Sequence, residues 1–162
     1  MKTSILFLLL GISLNAAPTF QEFKNHFVAV EGIKFKPYKC SMGFNTVGIG
    51  HKFEKWEKIK SNYSNKEIDE LFKTDLNEAK IIARKVFPTF DKQPDEIQIL
   101  LVDTCFNMGE SGIKKFVKFR AAIESKNYKL AAQEIKNSKY YHQTGRRAER
   151  HYQTLLKFYS LS

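Results

Sequence analysis

The segment from Ile97 to Met108 constrains the fold most strongly, because it is apolar on almost every side of a helix. A helix of that kind is stable only when other elements surround it. Pro94 precedes the segment, and Gly109 and Gly112 follow it, so we expect the helix to end at these glycines. The sequence therefore predicts a central buried helix inside a layer of other helices.

The surrounding helices are predicted by apolar residues that recur every three or four positions. A short helix is expected from Phe20 to Val30, and it ends at Glu31 because Gly32 is typical of the position just past a helix. Ser64 and Glu67 have the spacing of a capping box and open a long helix that runs to about Lys85. Three amphipathic segments follow, around residues 114–124, 129–137 and 144–159.

One region has a different pattern. Residues 33–53 are rich in glycine, asparagine and β-forming residues, which predicts a small hairpin or three short strands with turns near residues 41–45. The chain has 162 residues, of which 43% are hydrophobic, and this is enough for one compact core. We therefore predict an α+β fold, mainly helical, with a small β-hairpin lobe and a helical lobe.

The N-terminal residues 1–17 differ in composition from the rest of the chain. Lys2 is their only charge, and the apolar run from Ser4 to Leu14 is too short to cross a bilayer as an ordinary helix. This layout is typical of a secretory signal, with cleavage expected after Ala16 and a folded domain over residues 18–162. The alternative is an uncleaved anchor. We expect an exported protein that contacts a membrane only through this segment.

The charge and the cysteines narrow the possible functions. The net charge of +10 favours an anionic partner, such as nucleic acid, an acidic polysaccharide or a membrane surface. Cys40 and Cys105 are too few for a disulfide-rich fold or a cysteine-rich metal site. The sequence contains no glycine-rich phosphate loop and no His-Glu-x-x-His motif, so we expect neither a cofactor nor a metal.

Polar residues gather around the predicted hairpin. Glu31 lies at the negative end of a helix beside apolar residues, a setting that suits a general acid. Glycoside hydrolysis also needs a base or nucleophile across the scissile bond, usually a second carboxylate. The hairpin offers Cys40 and Thr46 instead. Taken singly, each of these residues could equally be an ordinary surface or strand residue.

The spacing of these residues resembles a known catalytic motif. Eight residues separate Glu31 from Cys40, five separate Cys40 from Thr46, and Val47-Gly48-Ile49-Gly50-His51 follows. This arrangement resembles the motif of the phage-type lysozymes, the endolysins of glycoside hydrolase family 24. The segments 106–112 and 140–148 also resemble the family's central helix ending and its final segment, so the resemblance covers essentially everything after residue 17.

The resemblance implies hydrolysis of the β-1,4 bond between N-acetylmuramic acid and N-acetylglucosamine in peptidoglycan. The reaction would occur in a cleft between two lobes joined by the long helix. Glu31 would be the general acid, and Thr46 would position the attacking water. Cys40 stands where many members carry Asp. An ordinary thiol has a pKa of about 8.5 and is mostly neutral at pH 7, so Cys40 would need activation by its surroundings or would act as a covalent nucleophile.

The resemblance also implies supporting residues. His51 would pair with Asp75 and Arg147 would approach Glu31, although each could be an ordinary polar or surface residue. The residues that would line the saccharide cleft are Asn107 and Gln143, together with Phe106, which could equally belong to the core. The implied partner is bacterial peptidoglycan, and we expect a monomer with two reduced thiols.

Three functions remain open at this stage. The first is an exported muramidase used for bacterial lysis or wall remodelling. The second is a basic wall-binding or antimicrobial protein on the same fold with little catalysis. The third is a nucleic-acid-binding helical module, which the basic segment Arg146–Arg150 suggests; export argues against it, so we expect no nucleic-acid partner.

Overall fold

The computed structural model describes residues 17–40 and 43–160, so the predicted export signal lies outside the described residues except for Ala17. Ser41 and Met42, in the predicted turn, also lie outside them. In chain order the elements are α1 (Phe20–Glu31), β1 (Lys34–Lys39), β2 (Asn45–Gly48), β3 (His51–Lys52), α2 (Asn65–Val86), a 3₁₀ turn (Phe90–Lys92), α3 (Asp95–Lys115), α4 (Val117–Glu124), α5 (Tyr128–Lys136), α6 (Lys139–Thr144) and α7 (Arg146–Tyr159). The predicted mainly helical α+β fold is confirmed.

Capping residues define the two helices that frame the β lobe. Thr19 caps α1 and Ser64 caps α2, and in both cases a glutamate at the third helical position returns the hydrogen bond to the cap. The backbone N–H of Gly32 donates to the Val28 carbonyl at 2.8 Å, and its φ of +72° lets the chain turn away from α1. Glu31 is therefore the last residue of α1.

The sheet is antiparallel with strand order β1-β2-β3. Tyr38 faces Thr46 across the first pair, and Val47 faces His51 across the second. The tight turn between β2 and β3 starts at Gly48, which has a φ of +65°, and a Cβ there would lie 3.0 Å from Cγ2 of Ile68 on α2. A side chain at this position would be strained by the positive φ and would require Ile68 to shift, so glycine suits the close approach of the β lobe to α2.

The central helix differs from the prediction at its C-terminal end. Gly109 has φ 65° and ψ 174°, which interrupts the helix, but helical geometry resumes and α3 continues to Lys115 with Gly112 inside it. Ile113 is fully buried and ties the resumed segment to the core. The short helix α6 was not predicted as a separate element, because its six residues are too few for a clear periodic pattern.

A single hydrophobic cluster connects both lobes. At its centre, the rings of Phe27 on α1, Phe72 on α2 and Phe106 on α3 lie with centroids 4.8 to 6.4 Å apart. The helix α2 packs along α3 and also contacts β2 and β3, so it joins the lobes as predicted. This packing holds the end of α1 and the hairpin opposite α3 and α7. None of the helices that the structure describes is both long and apolar enough to cross a membrane.

Candidate active site

A cleft of about 380 Å³ lies between the hairpin, the end of α1 and the helices α3, α6 and α7. Six of the nine residues predicted from the sequence line it: Glu31, Cys40, Thr46, Asn107, Gln143 and Arg147. The other three, His51, Asp75 and Phe106, line an adjoining hollow of about 310 Å³ that shares Gly50 and Lys52 with the cleft. The fold therefore places all nine residues at one of two neighbouring hollows, which share Gly50 and Lys52.

Glu31 is oriented by a hydrogen bond and lies next to the hairpin. Arg147 on α7 donates a hydrogen bond from Nη2 to Glu31 Oε1. Gly50 lies beside the same oxygen, and a Cβ added to it would be in van der Waals contact, 3.5 Å from Glu31 Oε1 and from the Phe106 ring. The side chain of Glu31 keeps 29% of its surface exposed, at the cleft. Its carboxyl group is thus oriented by the protein while it remains open to a ligand.

Thr46 and Cys40 are tied to the same backbone carbonyl. Thr46 is buried, and its Oγ1 donates to the carbonyl of Phe44 at 3.1 Å. The backbone N–H of Cys40 donates to that carbonyl at 2.9 Å. Burial raises the pKa of the neighbouring Tyr38, and electrostatic interactions with Glu31 and Cys40 raise it further, which is consistent with their closeness. The side chains of Glu31, Cys40 and Thr46 therefore all line the cleft beside the hairpin.

Cys40 and Cys105 lie in different parts of the fold, and no disulfide joins them in the described part of the chain. Cys105 lies in the buried part of α3, and burial raises the pKa of its thiol to about 12. It therefore stays protonated at physiological pH. Cys40, in contrast, is half-buried at the cleft.

His51 contacts Asp75, as the resemblance implied, and it also contacts Glu57. Its Nδ1 lies 2.9 Å from Asp75 Oδ2, and its Nε2 lies 3.2 Å from Glu57 Oε1. Burial alone would lower the pKa of His51, but the hydrogen bond and charge of Asp75, with the charge of Glu57, raise it above its ordinary value. The contact with Glu57 was missed from the sequence, where no motif distinguishes this loop glutamate.

Arg147 has a second partner that the sequence analysis also missed. Its Nε lies 3.3 Å from Oδ1 of Asp103 on α3. Burial alone would lower the pKa of Arg147, but the charges of Asp103 and Glu31 raise it above its ordinary value. Asp103 is the one carboxylate in the apolar run 97–108. A lone acid in a buried helix must be paired, and that signal could have identified it.

Two histidines also contact Asp103. Nε2 of His26 on α1 lies 2.9 Å from Asp103 Oδ2, and Nε2 of His151 on α7 lies 2.8 Å from the same oxygen. Burial alone would raise the pKa of Asp103, but these hydrogen bonds and the charge of Arg147 lower it well below its ordinary value. Within residues 17–40 and 43–160, this trio is the set of side chains that could hold a metal ion. Its donor atoms are already engaged with one another.

Comparisons with known proteins show the family of this chain. The family model described as "Phage lysozyme" matches residues 28–155. Two similar proteins are "Probable T4-type lysozyme 1" and "Probable T4-type lysozyme 2" of Dictyostelium discoideum, at 30% and 31% identity. Each comparison covers 74% of this chain and 85% of the relative. The chain therefore belongs to the phage lysozyme family, glycoside hydrolase family 24, and is a glycoside hydrolase of the lysozyme type.

Proposed function

We propose that this lysozyme is an exported muramidase that hydrolyses the β-1,4 bond between N-acetylmuramic acid and N-acetylglucosamine. The observation that carries the proposal is the meeting of Glu31, Cys40 and Thr46 at one cleft, with Arg147 bound to one oxygen of Glu31. Under this proposal Glu31 is the general acid, Thr46 positions water, and Cys40 takes the second catalytic position.

The hydrogen bond from Arg147 suggests which oxygen of Glu31 carries the proton. Oε1 accepts from the Arg147 guanidinium, so negative charge is favoured on that oxygen. The proton of the acid form then belongs on Oε2. In the reaction Glu31 gives this proton to the glycosidic oxygen as the bond to the anomeric carbon breaks. Arg147 then stabilises the carboxylate that remains.

The hydroxyl of Thr46 is suited to hold a water molecule. Its hydrogen is directed to the Phe44 carbonyl, so the lone pairs of Oγ1 are available to accept a hydrogen bond. A water that donates a hydrogen to Oγ1 keeps its own lone pairs free to attack the sugar. This orientation is a form of catalysis by positioning.

The role of Cys40 divides into two routes that give different products. If the Cys40 thiolate takes a proton from the water held by Thr46, water attacks the anomeric carbon directly and the configuration inverts. If the thiolate attacks, a carbon–sulfur bond forms while the leaving sugar takes the Glu31 proton. Water, deprotonated by Glu31, then breaks that bond and the configuration is retained. Proton NMR of the first-formed anomer distinguishes the two routes.

The charge of the cleft supports an anionic polymer as substrate. Lys52, Arg146, Arg147 and Arg150 line it, against the single carboxylate of Glu31. Peptidoglycan carries carboxylates on its stem peptides and on those lactyl groups that bear no peptide, so such a lining attracts the strand. The same charge also supports the second candidate, a wall-binding protein with little catalysis, which would need no acid at position 31.

Turbidity clearing of purified peptidoglycan under reducing conditions tests the proposal. The variants are wild type, Glu31→Gln, Cys40→Ser and Cys40→Asp, with Asp69→Asn as a surface control. We expect clearing by wild type, Cys40→Asp and Asp69→Asn, and none by Glu31→Gln or Cys40→Ser. Clearing by Glu31→Gln would refute the role of the acid. Binding without clearing by wild type would favour the wall-binding candidate.

Export and biological role belong to the same proposal. The apolar run from Ser4 to Leu14 and the small residues before Pro18 support a cleaved signal, and release or remodelling of the bacterial wall would then follow from the activity. Mass spectrometry of the protein from the producing cell tests this directly. A mature N-terminus at Ala17 supports export with cleavage, and an intact N-terminus in the membrane fraction supports the anchor.

A further inference from the structure

We propose that Asp103 is a positioning residue: it shares the charge of Arg147 with Glu31 and so sets how strongly Arg147 acts on that acid. The inference rests on the proposed function, in which Glu31 is the general acid. It concerns a buried network that lies behind the cleft, since Asp103 itself is fully buried and does not line the cleft.

The first observation is that Arg147 lies between two carboxylates. Nη2 donates to Glu31, and Nε lies 3.3 Å from Asp103 Oδ1. Arg147 is only 7% exposed, so water screens its charge poorly. Under such conditions the attraction between Arg147 and either carboxylate depends on whether the other one is charged.

The second observation is that Asp103 is held by its own donors. The pKa of Asp103 is lowered, so its carboxylate oxygens accept hydrogen bonds. Nε2 of His151 lies 2.8 Å from Asp103 Oδ2 and therefore donates its N–H to that oxygen. On the other side of the ring, the Tyr140 hydroxyl lies 3.2 Å from His151 Nδ1 and fixes the orientation of the imidazole.

His26 completes the arrangement from α1, with Nε2 at 2.9 Å from the same oxygen. Both histidines engage Oδ2, which leaves Oδ1 directed at Arg147. Asp103 Oδ1 and Arg147 Nε are both buried and make no hydrogen bond within the described part of the chain, so their 3.3 Å contact is an ion pair. Three helices, α1, α3 and α7, therefore hold one carboxylate oxygen against the guanidinium that binds Glu31.

Removing the negative charge of Asp103 should change the ionisation of Glu31. Asp103→Asn keeps nearly the same shape, but Arg147 then has Glu31 as its remaining carboxylate partner in this network. The full positive charge acts on Glu31 and favours its ionised form, which cannot act as an acid. The other charged or titratable groups at the cleft are unchanged by this substitution: Tyr38, Cys40, Lys52, Arg146 and Arg150.

The test is a pH titration of the protein by two readouts. The first is the ¹³C signal of the Glu31 carboxyl carbon, which reports ionisation whether or not the protein is active. The second is the alkaline limb of the pH profile for peptidoglycan clearing. The variants are Asp103→Asn, Arg147→Met and the double variant, with Asp69→Asn as the matched control at the surface pair with Lys24.

We expect Asp103→Asn to move both midpoints down by about one pH unit, which corresponds to about a tenfold change in the ionisation equilibrium. Arg147→Met should move both midpoints up. The double variant should match Arg147→Met, because Asp103 acts through Arg147. The Asp69→Asn control should leave both midpoints unchanged.

Two results would overturn the proposal. The first is an unchanged Glu31 midpoint in Asp103→Asn, which would make Asp103 purely structural. The second is a shift by Asp103→Asn that is equally large without Arg147. If Asp103→Asn alone does not fold, the double variant decides, because it leaves no unpaired buried charge. A folded double variant that titrates like Arg147→Met supports the proposal. A double variant that is unfolded, or that titrates differently, refutes it. If the wild-type protein does not clear peptidoglycan, only the proposed function is refuted, because the NMR midpoints of Glu31 still report on the effect of Asp103.

Discussion

The His51 network predicts a stability that depends on pH in a definite direction. The pKa of His51 is raised in the folded protein, so its charged form is stabilised there. The stabilisation is fully present below the unfolded value of about 6.5, and it is lost as the pH rises through the folded value. The substitution that tests this is Asp75→Asn, which removes the closest negative charge from His51.

The magnitude follows from the geometry of the pair. The side chains of His51 and Asp75 are 10% and 21% exposed, and their atoms are 2.9 Å apart. A hydrogen bond to a charged group contributes about 1.5 to 3 kcal/mol. We therefore expect Asp75→Asn to cost about 2 kcal/mol at pH 6, or about 4 to 8 °C in Tm for a chain of this size. At pH 9 the neutral imidazole still donates to the amide oxygen, and the cost should fall below about 1 kcal/mol.

Thermal unfolding followed by circular dichroism at pH 6 and pH 9 measures this difference. The matched control is Asp69→Asn, which breaks a pair with Lys24 at 2.7 Å. The charge of a lysine does not change between these two pH values, so the control should lower Tm equally at both. An equal loss of Tm at pH 6 and pH 9 for Asp75→Asn would show that His51 is not the group that titrates, and the reasoning would fail.

Three further predictions follow from local contacts. Thr46→Val retains the shape of the side chain but removes the hydroxyl that would hold water. The value of kcat should therefore fall by about 100-fold, with little change in the binding of peptidoglycan fragments. An unchanged kcat would contradict the role of Thr46. Gly48→Ala forces a Cβ to 3.0 Å from Ile68 Cγ2 at a positive φ and should cost about 1–3 kcal/mol in urea unfolding; an unchanged midpoint would show that the hairpin can shift freely. Ser64→Ala removes a capping box and should cost about 1 kcal/mol in the same assay without loss of activity.

Much of the fold could be predicted because its signals are local. The capping box at Ser64, the apolar stripe of α2 and the glycine after Glu31 each involve residues within a few positions of one another. The hairpin motif from Glu31 to His51 is also contiguous, so its spacing already placed the acid, the thiol and the hydroxyl in one region. The structure corrected the end of α3, where Ile113 holds the helix past Gly112, and added the short helix α6.

The network behind the cleft could not be predicted in this way. His26, Asp103, Arg147 and His151 come from three helices, and a contact such as His26 to Asp103 spans 77 positions of the chain. Periodicity shows that each residue lies on a helix, but it does not show which helix faces it. The isolated acid at position 103 was visible, yet its partners were not.

The sequence by itself determined which segments become helices or strands, and that Glu31, Cys40 and Thr46 lie close to the hairpin. Both depend on hydrogen bonds and side-chain spacing over three to ten residues. Only the tertiary structure decided that Arg147 lies between Glu31 and Asp103, and that two histidines converge on one oxygen of Asp103. These contacts depend on how α1, α3 and α7 pack around a common core. Side-chain volume and the cost of burying an unpaired charge select that packing, and both act between residues that are far apart in the chain.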